Sequence, residues 1–273
     1  MDRNGTIRSL FGADRALIGM VHLQALPGSP ACTLPVAAMV EKAVEEAELY
    51  RQAGFNGVAI ENMHDRPYFN RNAGPEVVAA MTAAARAIRA ATGLPLGVQV
   101  LAGANREALA VAQAAEACFV RVEGFVYAHV ADEGLMQADA ARLLRYRKTI
   151  GAESIRIFAD IKKKHSSHAL TADVNLAETA ETAEFCLADG VVVTGSATGR
   201  PTDPDQVEAV HNVTSIPTLV GSGVTPENMP HFQIADALIV GSSSKFDGLW
   251  SNEIDPSRLE ALVRSFDRTT GPA

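Results

Sequence analysis

The 273-residue sequence predicts an α/β protein built as a single (β/α)8 TIM barrel, on three observations. From Ala16 onward, short apolar runs alternate with longer amphipathic segments, the pattern of a parallel sheet covered by helices. The apolar runs number eight, and the chain has about the length such barrels take. Two turns rich in glycine and hydroxyls, Gly221-Ser222-Gly223 and Gly241-Ser242-Ser243, follow the last two runs, where barrels of this kind bind phosphate. The alternative is an open, doubly wound sheet. No Gly-x-Gly-x-x-Gly follows the first strand, which argues against its dinucleotide-binding form.

The predicted strands are Leu17 to His22, Gly57 to Glu61, Pro95 to Leu101, Cys118 to Val122, Ile155 to Asp160, Gly190 to Thr194, Pro217 to Val220 and Ala237 to Val240. Each is short, mainly apolar and bounded by turn residues, as strands buried on both faces are. The helices between them are Pro35 to Gln52, Pro75 to Ala91, Arg106 to Ala115, Ala138 to Ile150, Asn175 to Leu187, Pro204 to His211 and Pro256 to Phe266. Proline opens several of them, Asp203 supplies an N-cap, and Gly54, Gly93 and Gly151 mark stops. Residues 1–14 read as a polar N-terminal extension. Nothing divides the chain, so residues 1–273 form one domain.

A net charge of −8 argues against nucleic acid as a main partner, because phosphate backbones require a basic face. The three cysteines have no metal-ligand spacing and leave one unpaired, which fits a reduced, cytoplasmic setting; Cys118 and Cys186 sit in apolar runs and are expected to be buried. The N-terminus lacks the apolar core of a signal peptide, and no run reaches the roughly eighteen apolar residues of a membrane span. The expected partners are a small phosphorylated ligand and further copies of the same chain.

In a barrel, the C-terminal ends of the strands meet at one mouth, where active sites lie. The residues there are polar: His22, Glu61, Asn62, Gln99, Arg121, Glu123, Asp160, Lys162, Lys164, His165 and Thr194. Strand alternation puts Asp160 and Lys162 on one face, so the two are expected to pair as acid and base. Lys163 is expected to face water. Glu61 reads either as a general base or as a buried acid paired to Arg121. His22 reads either as a proton carrier or as a satisfied core histidine, and His165 as an auxiliary proton carrier. His22, Glu61, Asp160 and His165 are metal-ligand types without diagnostic spacing, so no metal site and no cofactor are assigned, while a divalent metal stays open. A Schiff-base role for Lys162 would require burial to depress its pKa. Backbone N–H groups of Gly221, Ser222, Gly223, Gly241, Ser242 and Ser243 are expected to hold a phosphate.

The motifs LFGADRALIGMVHLQALPGSP (Leu10 to Pro30), GVAIENMHDRPY (Gly57 to Tyr68), FVRVEGFVYAHVADEGLMQADA (Phe119 to Ala140), LLRYRKTIGA (Leu143 to Ala152), ADIKKKH (Ala159 to His165), VVVTGSATGRPTD (Val191 to Asp203), LVGSGVTPENM (Leu219 to Met229) and ADALIVGSSSKFDG (Ala235 to Gly248) follow in a fixed order. With them the chain resembles the BtpA/SgcQ family from about Leu10 to Phe266. The resemblance implies a barrel of the ribulose-phosphate-binding kind. It also implies either a role in photosystem I biogenesis or a sugar-metabolism enzyme like phosphoribosylanthranilate isomerase. The third strand departs from the family: Gln99-Val100-Leu101-Ala102-Gly103-Ala104 stands where members carry Asn followed by Leu-Arg-Asn-Asp, and Glu123 stands where they tend to have Asn. Both changes face the mouth, so altered substrate contacts or a weakened activity are expected. The leading expectation is an isomerase, lyase or glycosidic-bond-cleaving enzyme acting by acid–base chemistry on a phosphorylated sugar or nucleotide-like ligand. The other is a non-enzymatic assembly factor for a membrane complex.

Overall fold

Apolar strands joined by connections long enough to hold a helix pair in parallel. In the computed structural model, which describes residues 3–195 and 201–270, eight such strands close into a barrel. They are β1 (Ala16–His22), β2 (Gly57–Glu61), β3 (Leu96–Gln99), β4 (Phe119–Val122), β5 (Arg156–Ile161), β6 (Gly190–Val193), β7 (Thr218–Val220) and β8 (Ala237–Val240). Each pairs with its neighbour in sequence, and β1 meets β8 in the register Ala16↔Ala237 to Gly19↔Val240. Every predicted strand is present with ends shifted by at most two residues. Met1 and Asp2 of the expected extension, the 196–200 part of the Val191 to Asp203 motif, and residues 271–273 lie outside the described residues.

The helices are α1 (Arg3–Phe11), α2 (Val36–Ala53), α3 (Pro75–Thr92), α4 (Asn105–Ala115), α5 (Ala140–Thr149), α6 (Leu176–Phe185), α7 (Pro204–Val213) and α8 (Pro256–Thr270). Helices α2 to α8 follow the sequence reading. Gly54 and Gly93 end α2 and α3 in the left-handed conformation and donate back to the last turn. Asp203 caps α7 by accepting from the Asp205 N–H, and Asn175 caps α6 in a reciprocal box with Glu178.

Three features were not foreseen. The expected extension contains helix α1, whose Ile7 and Phe11 are buried. Phe11 meets Phe119 edge-on with ring centroids 5.9 Å apart, and Arg3 binds the carbonyls of His211, Thr214 and Ile216. So α1 seals the end of the barrel where the strands begin. A small antiparallel sheet, His129–Ala131 with Gly134–Met136 and Ser166–Ser167, joins the loop after β4 to the loop after β5. The strand β7 is followed by a short 3-10 turn, Met229–Phe232, where an α-helix was the pattern elsewhere.

Period-two alternation divides the core into two shells. Outward-facing Ile60, Val98, Val120, Ile157, Val191 and Leu238 pack beneath the helices. Inward-facing Ile18, Met20, Ala59, Phe119, Phe158, Leu219 and Ile239 fill the barrel. The rings of Phe119 and Phe158, 5.3 Å apart, fit because neighbouring strands carry glycine at Gly97 and Gly190. A Cβ on Gly97 would lie 2.1 Å from the Phe119 ring. Cys118 and Cys186, expected to be buried, are only partly so. No described helix is long and apolar enough to cross a membrane.

Gly97→Ala is expected to lower the unfolding free energy by about 1–3 kcal/mol, the usual cost of overpacking. Part of the loss returns when Phe119→Leu is added, and urea unfolding of the three variants checks this.

Candidate functional site

Continuing the inward phase past Phe119 and Phe158 brings a ring of polar side chains to the C-terminal rim. His22, Glu61, Gln99, Arg121, Asp160 and Thr194 are all buried there, and Gly221 and Gly241 complete the circle. A cavity of about 230 Å³ opens beside them. Met20 and Ile239 form its apolar floor; His22, Glu61, Arg121 and Lys164 form one wall, and the β7 and β8 turns with Arg258 form the other.

Two charge pairs organise the first wall. Arg121 clasps Asp160 with two parallel bonds, Nε to Oδ1 at 3.0 Å and Nη2 to Oδ2 at 3.1 Å. Burial works against the guanidinium charge, but Asp160 outweighs it and raises the pKa of Arg121. His22 Nε2 lies 3.1 Å from Glu61 Oε1, while its Nδ1 lies 3.0 Å from the Trp250 carbonyl. The Trp250 carbonyl can only accept, so Nδ1–H points to it and Nε2 is the ring atom turned to the Glu61 carboxylate. Burial favours protonated Glu61, yet the hydrogen bond from His22 and the charges of His22, Arg121 and Lys164 hold its pKa down to about 2. Of the two readings of Glu61, the pairing with Arg121 is replaced by one with His22.

The lysine run after β5 separates into three fates. Lys162 was expected to pair with Asp160. It adopts a positive φ of 46°, and its Nζ binds the carbonyls of Thr171 and Val174, so it leaves the strand's alternation and turns away from the acid. Lys163, expected to face water, is buried and binds Glu123 at 3.2 Å, with Glu133 at 3.6 Å. Lys164 turns into the cavity. His165 is exposed and lies outside it.

The remaining polar residues divide in the same way. Asn62 accepts from the Leu101 N–H at 2.7 Å and donates to Asp65, which makes it a brace for the β3 loop. Glu123 is committed to Lys163, and burial raises its pKa. Gln99 Oε1, Thr194 Oγ1 and Ser222 Oγ are buried without a hydrogen-bond partner among the described residues. Likewise, no three His, Cys, Asp or Glu side chains among the described residues are placed to hold a metal ion, so the four ligand types noted in the sequence do not converge.

Two turns close the second wall. Gly223 sits at a φ of 67° and its carbonyl accepts from Asn228 at 2.7 Å; the Ser222 carbonyl accepts from Thr202 at 2.9 Å. Gly221 and Gly241 are glycines for lack of space. A Cβ at 221 would lie 2.4 Å from Val192 and 3.0 Å from Arg121 Nη2, and one at 241 would lie 3.1 Å from His22 Nε2. Among the described residues, the N–H groups of Gly223, Ser242 and Ser243 make no hydrogen bond and remain available at the cavity.

Sequence reasoning missed three supports of this wall. Arg258, in the first turn of α8, lines the cavity and reaches the Ser243 carbonyl at 3.4 Å. A cation in a helix's first turn opposes the macrodipole, and that misplacement was a legible signal. Tyr50, from α2, bonds Ser244 Oγ at 2.6 Å, and fully buried Lys245 binds Glu46 at 2.7 Å. These contacts tie the β8 turn to α2, but nothing in the spacing of residues 46, 50 and 245 announces them.

A model of the BtpA family matches residues 13–268. The chain belongs to the BtpA family. An uncharacterised mitochondrial protein of Caenorhabditis elegans is 45% identical over 264 residues, covering 94% of this chain and 95% of its own. That label does not support the cytoplasmic setting expected above. The photosystem I biogenesis protein BtpA of Synechocystis is 34% identical, with 93% and 89% covered. Among solved structures, thiamine phosphate pyrophosphorylase from Pyrococcus furiosus superposes with a TM-score of 0.58 at 14% identity, covering 94% of this chain and 97% of its own. Phosphoribosyl anthranilate isomerase from Thermus thermophilus gives a TM-score of 0.57 at 14% identity, with 93% and 98% covered. These structural likenesses establish the barrel for this BtpA-family chain.

Asp160→Asn is expected to cost about 3–5 kcal/mol, because it strands the buried Arg121 charge. The double variant Arg121→Met with Asp160→Leu is expected to be more stable than that single variant, as urea unfolding will test. A second outcome concerns acid. The folded pKa of Glu61 lies below its ordinary 4.5, so its contribution is complete above that value and is lost as pH falls towards about 2. The stability gap between wild type and Glu61→Gln is therefore expected to narrow between about pH 5 and pH 3, measured by urea unfolding at each pH.

Proposed function

We propose that this BtpA-family barrel is an enzyme that holds a small phosphorylated sugar or nucleotide-like ligand by its phosphate and acts on it by acid–base chemistry. One observation carries the reading: in a chain of net charge −8, the unbonded amides of Gly223, Ser242 and Ser243 share one cavity with the guanidinium groups of Arg121 and Arg258. Fixed N–H dipoles and cations converging on one space favour an anion. The structural neighbours named above, whose names mention a thiamine phosphate and a phosphoribosyl compound, support the same ligand class by analogy.

The acid–base part rests on His22 and Glu61, whose Nε2 and Oε1 lie 3.1 Å apart at the cavity wall. One partner can give a proton to a ligand oxygen while the other takes one from a neighbouring carbon or hydroxyl. Arg121, held flat by Asp160, presents its free edge to negative charge developing on the ligand. Asp160 acts through Arg121 in this scheme and makes no contact with the ligand. Isomerisation, aldol-type cleavage and glycosidic cleavage all use these parts.

The name of the Synechocystis relative favours a second reading, a barrel that binds a phosphorylated regulator and serves assembly of a complex. The commitment of Glu123 to Lys163 supports it, since that acid is withdrawn from chemistry.

A thermal-shift screen with inorganic phosphate, ribose 5-phosphate and nucleoside monophosphates tests the ligand class, because a ligand that binds the folded state raises Tm. At a concentration one hundred times Kd, the stabilisation is about 2.7 kcal/mol. Arg258→Ala is expected to weaken the shift about tenfold in ligand concentration, and Gly223→Asp to abolish it. A screen in which no anion moves Tm would sink the reading.

A further inference from the structure

Among the described residues, one lysine amine at the mouth stands without a bonded partner. Lys162 Nζ is spent on two carbonyls, Lys163 on Glu123 and Glu133, and Lys245 on Glu46. Lys164 Nζ makes no hydrogen bond or ion pair among the described residues, and the side chain lines the cavity beside Glu61 and Arg121. The carboxylates of Glu61, Asp160 and Glu123 oppose loss of its proton, but none is bonded to it. Burial, and after it the like charge of Arg121, lowers its pKa.

We infer that Lys164 is a nucleophilic amine that captures an aldehyde or ketone carried by the phosphorylated ligand, forming an imine in the cavity. The inference rests on the phosphate reading for the ligand's orientation and on the lysine geometry for the chemistry. The neutral Nζ lone pair attacks the carbonyl carbon, and the C=O π electrons move to oxygen. A proton transfer from nitrogen to that oxygen gives a neutral carbinolamine. A proton relayed from solvent across His22 and Glu61 goes to the hydroxyl, the C–O bond breaks, and water leaves as the nitrogen lone pair forms C=N. The sum is one amine, one carbonyl and one proton giving one iminium and one water. The iminium then withdraws electrons from the adjacent carbon, which opens aldol-type cleavage or isomerisation to the same residues.

The test uses the full-length protein, pyridoxal 5′-phosphate as a phosphorylated aldehyde, pyridoxal as its phosphate-free counterpart, and borohydride to fix any imine. The expected result is one adduct per chain, mapped by peptide mass to Lys164, forming at least tenfold faster with the phosphorylated aldehyde. The adduct is lost in Lys164→Arg and Lys164→Met, both checked for folding by thermal melting, and kept in Lys162→Arg. Labelling that spreads over exposed lysines, or that survives in both Lys164 variants, overturns the inference. Inorganic phosphate that raises Tm while Lys164 stays unlabelled overturns it and leaves the phosphate reading intact. Selective labelling of Lys164 at equal rates by both aldehydes, with no protection by phosphate, supports the amine and removes the phosphate reading.

Discussion

The closure of β8 onto β1 is the constraint on which everything else in this molecule depends. Pairing Ala16 with Ala237 fixes the phase of all eight strands, and a one-residue slip in any of them would turn its inward residues towards the helices. In the phase adopted, the small and aromatic side chains fill the lower barrel, and the next inward positions carry His22, Glu61, Gln99, Arg121, Asp160 and Thr194. A ring of polar groups at that depth is costly unless its members are paired. Two of its pairs, Arg121 with Asp160 and His22 with Glu61, meet that need within the ring itself.

The loops then decide which charges stay available. The small sheet between the β4 and β5 loops has no counterpart among the other described loops. It lies where Glu133 and Glu123 receive Lys163, so one cation of the lysine run is neutralised beneath it. Lys162 is drawn off to the carbonyls of Thr171 and Val174. What remains facing the cavity are the guanidinium groups of Arg121 and Arg258 against one carboxylate, Glu61, although the chain as a whole is acidic.

The fold was legible in the sequence because its signal is periodic and redundant. Strand–helix alternation repeats along the chain, and errors of one or two residues at the ends do not disturb it. Helix α1 escaped because only Ile7, Leu10 and Phe11 carry its apolar face within a polar stretch. The candidate site was legible to the point where strand phase applies, and His22, Glu61, Arg121 and the glycine turns do line one cavity. Beyond the last strand residue, phase no longer governs. The positive φ of Lys162 breaks the alternation that predicted its partnership with Asp160, and the contacts of Arg258, Tyr50 and Lys245 depend on distant elements meeting.

The missing Cβ atoms of Gly221 and Gly241 interlock the two walls of the cavity, since Arg121 and His22 occupy the space those atoms would take. Neither half can be enlarged without reshaping the other, so sequence drift on the β7 and β8 side is confined by sterics as well as by any ligand. The rim positions on β3 and β6 carry no such restriction: Gln99 and Thr194 each leave an oxygen unengaged among the described residues. Substitution in such barrels therefore meets less steric resistance along that freer arc than along the arc of the two glycine turns.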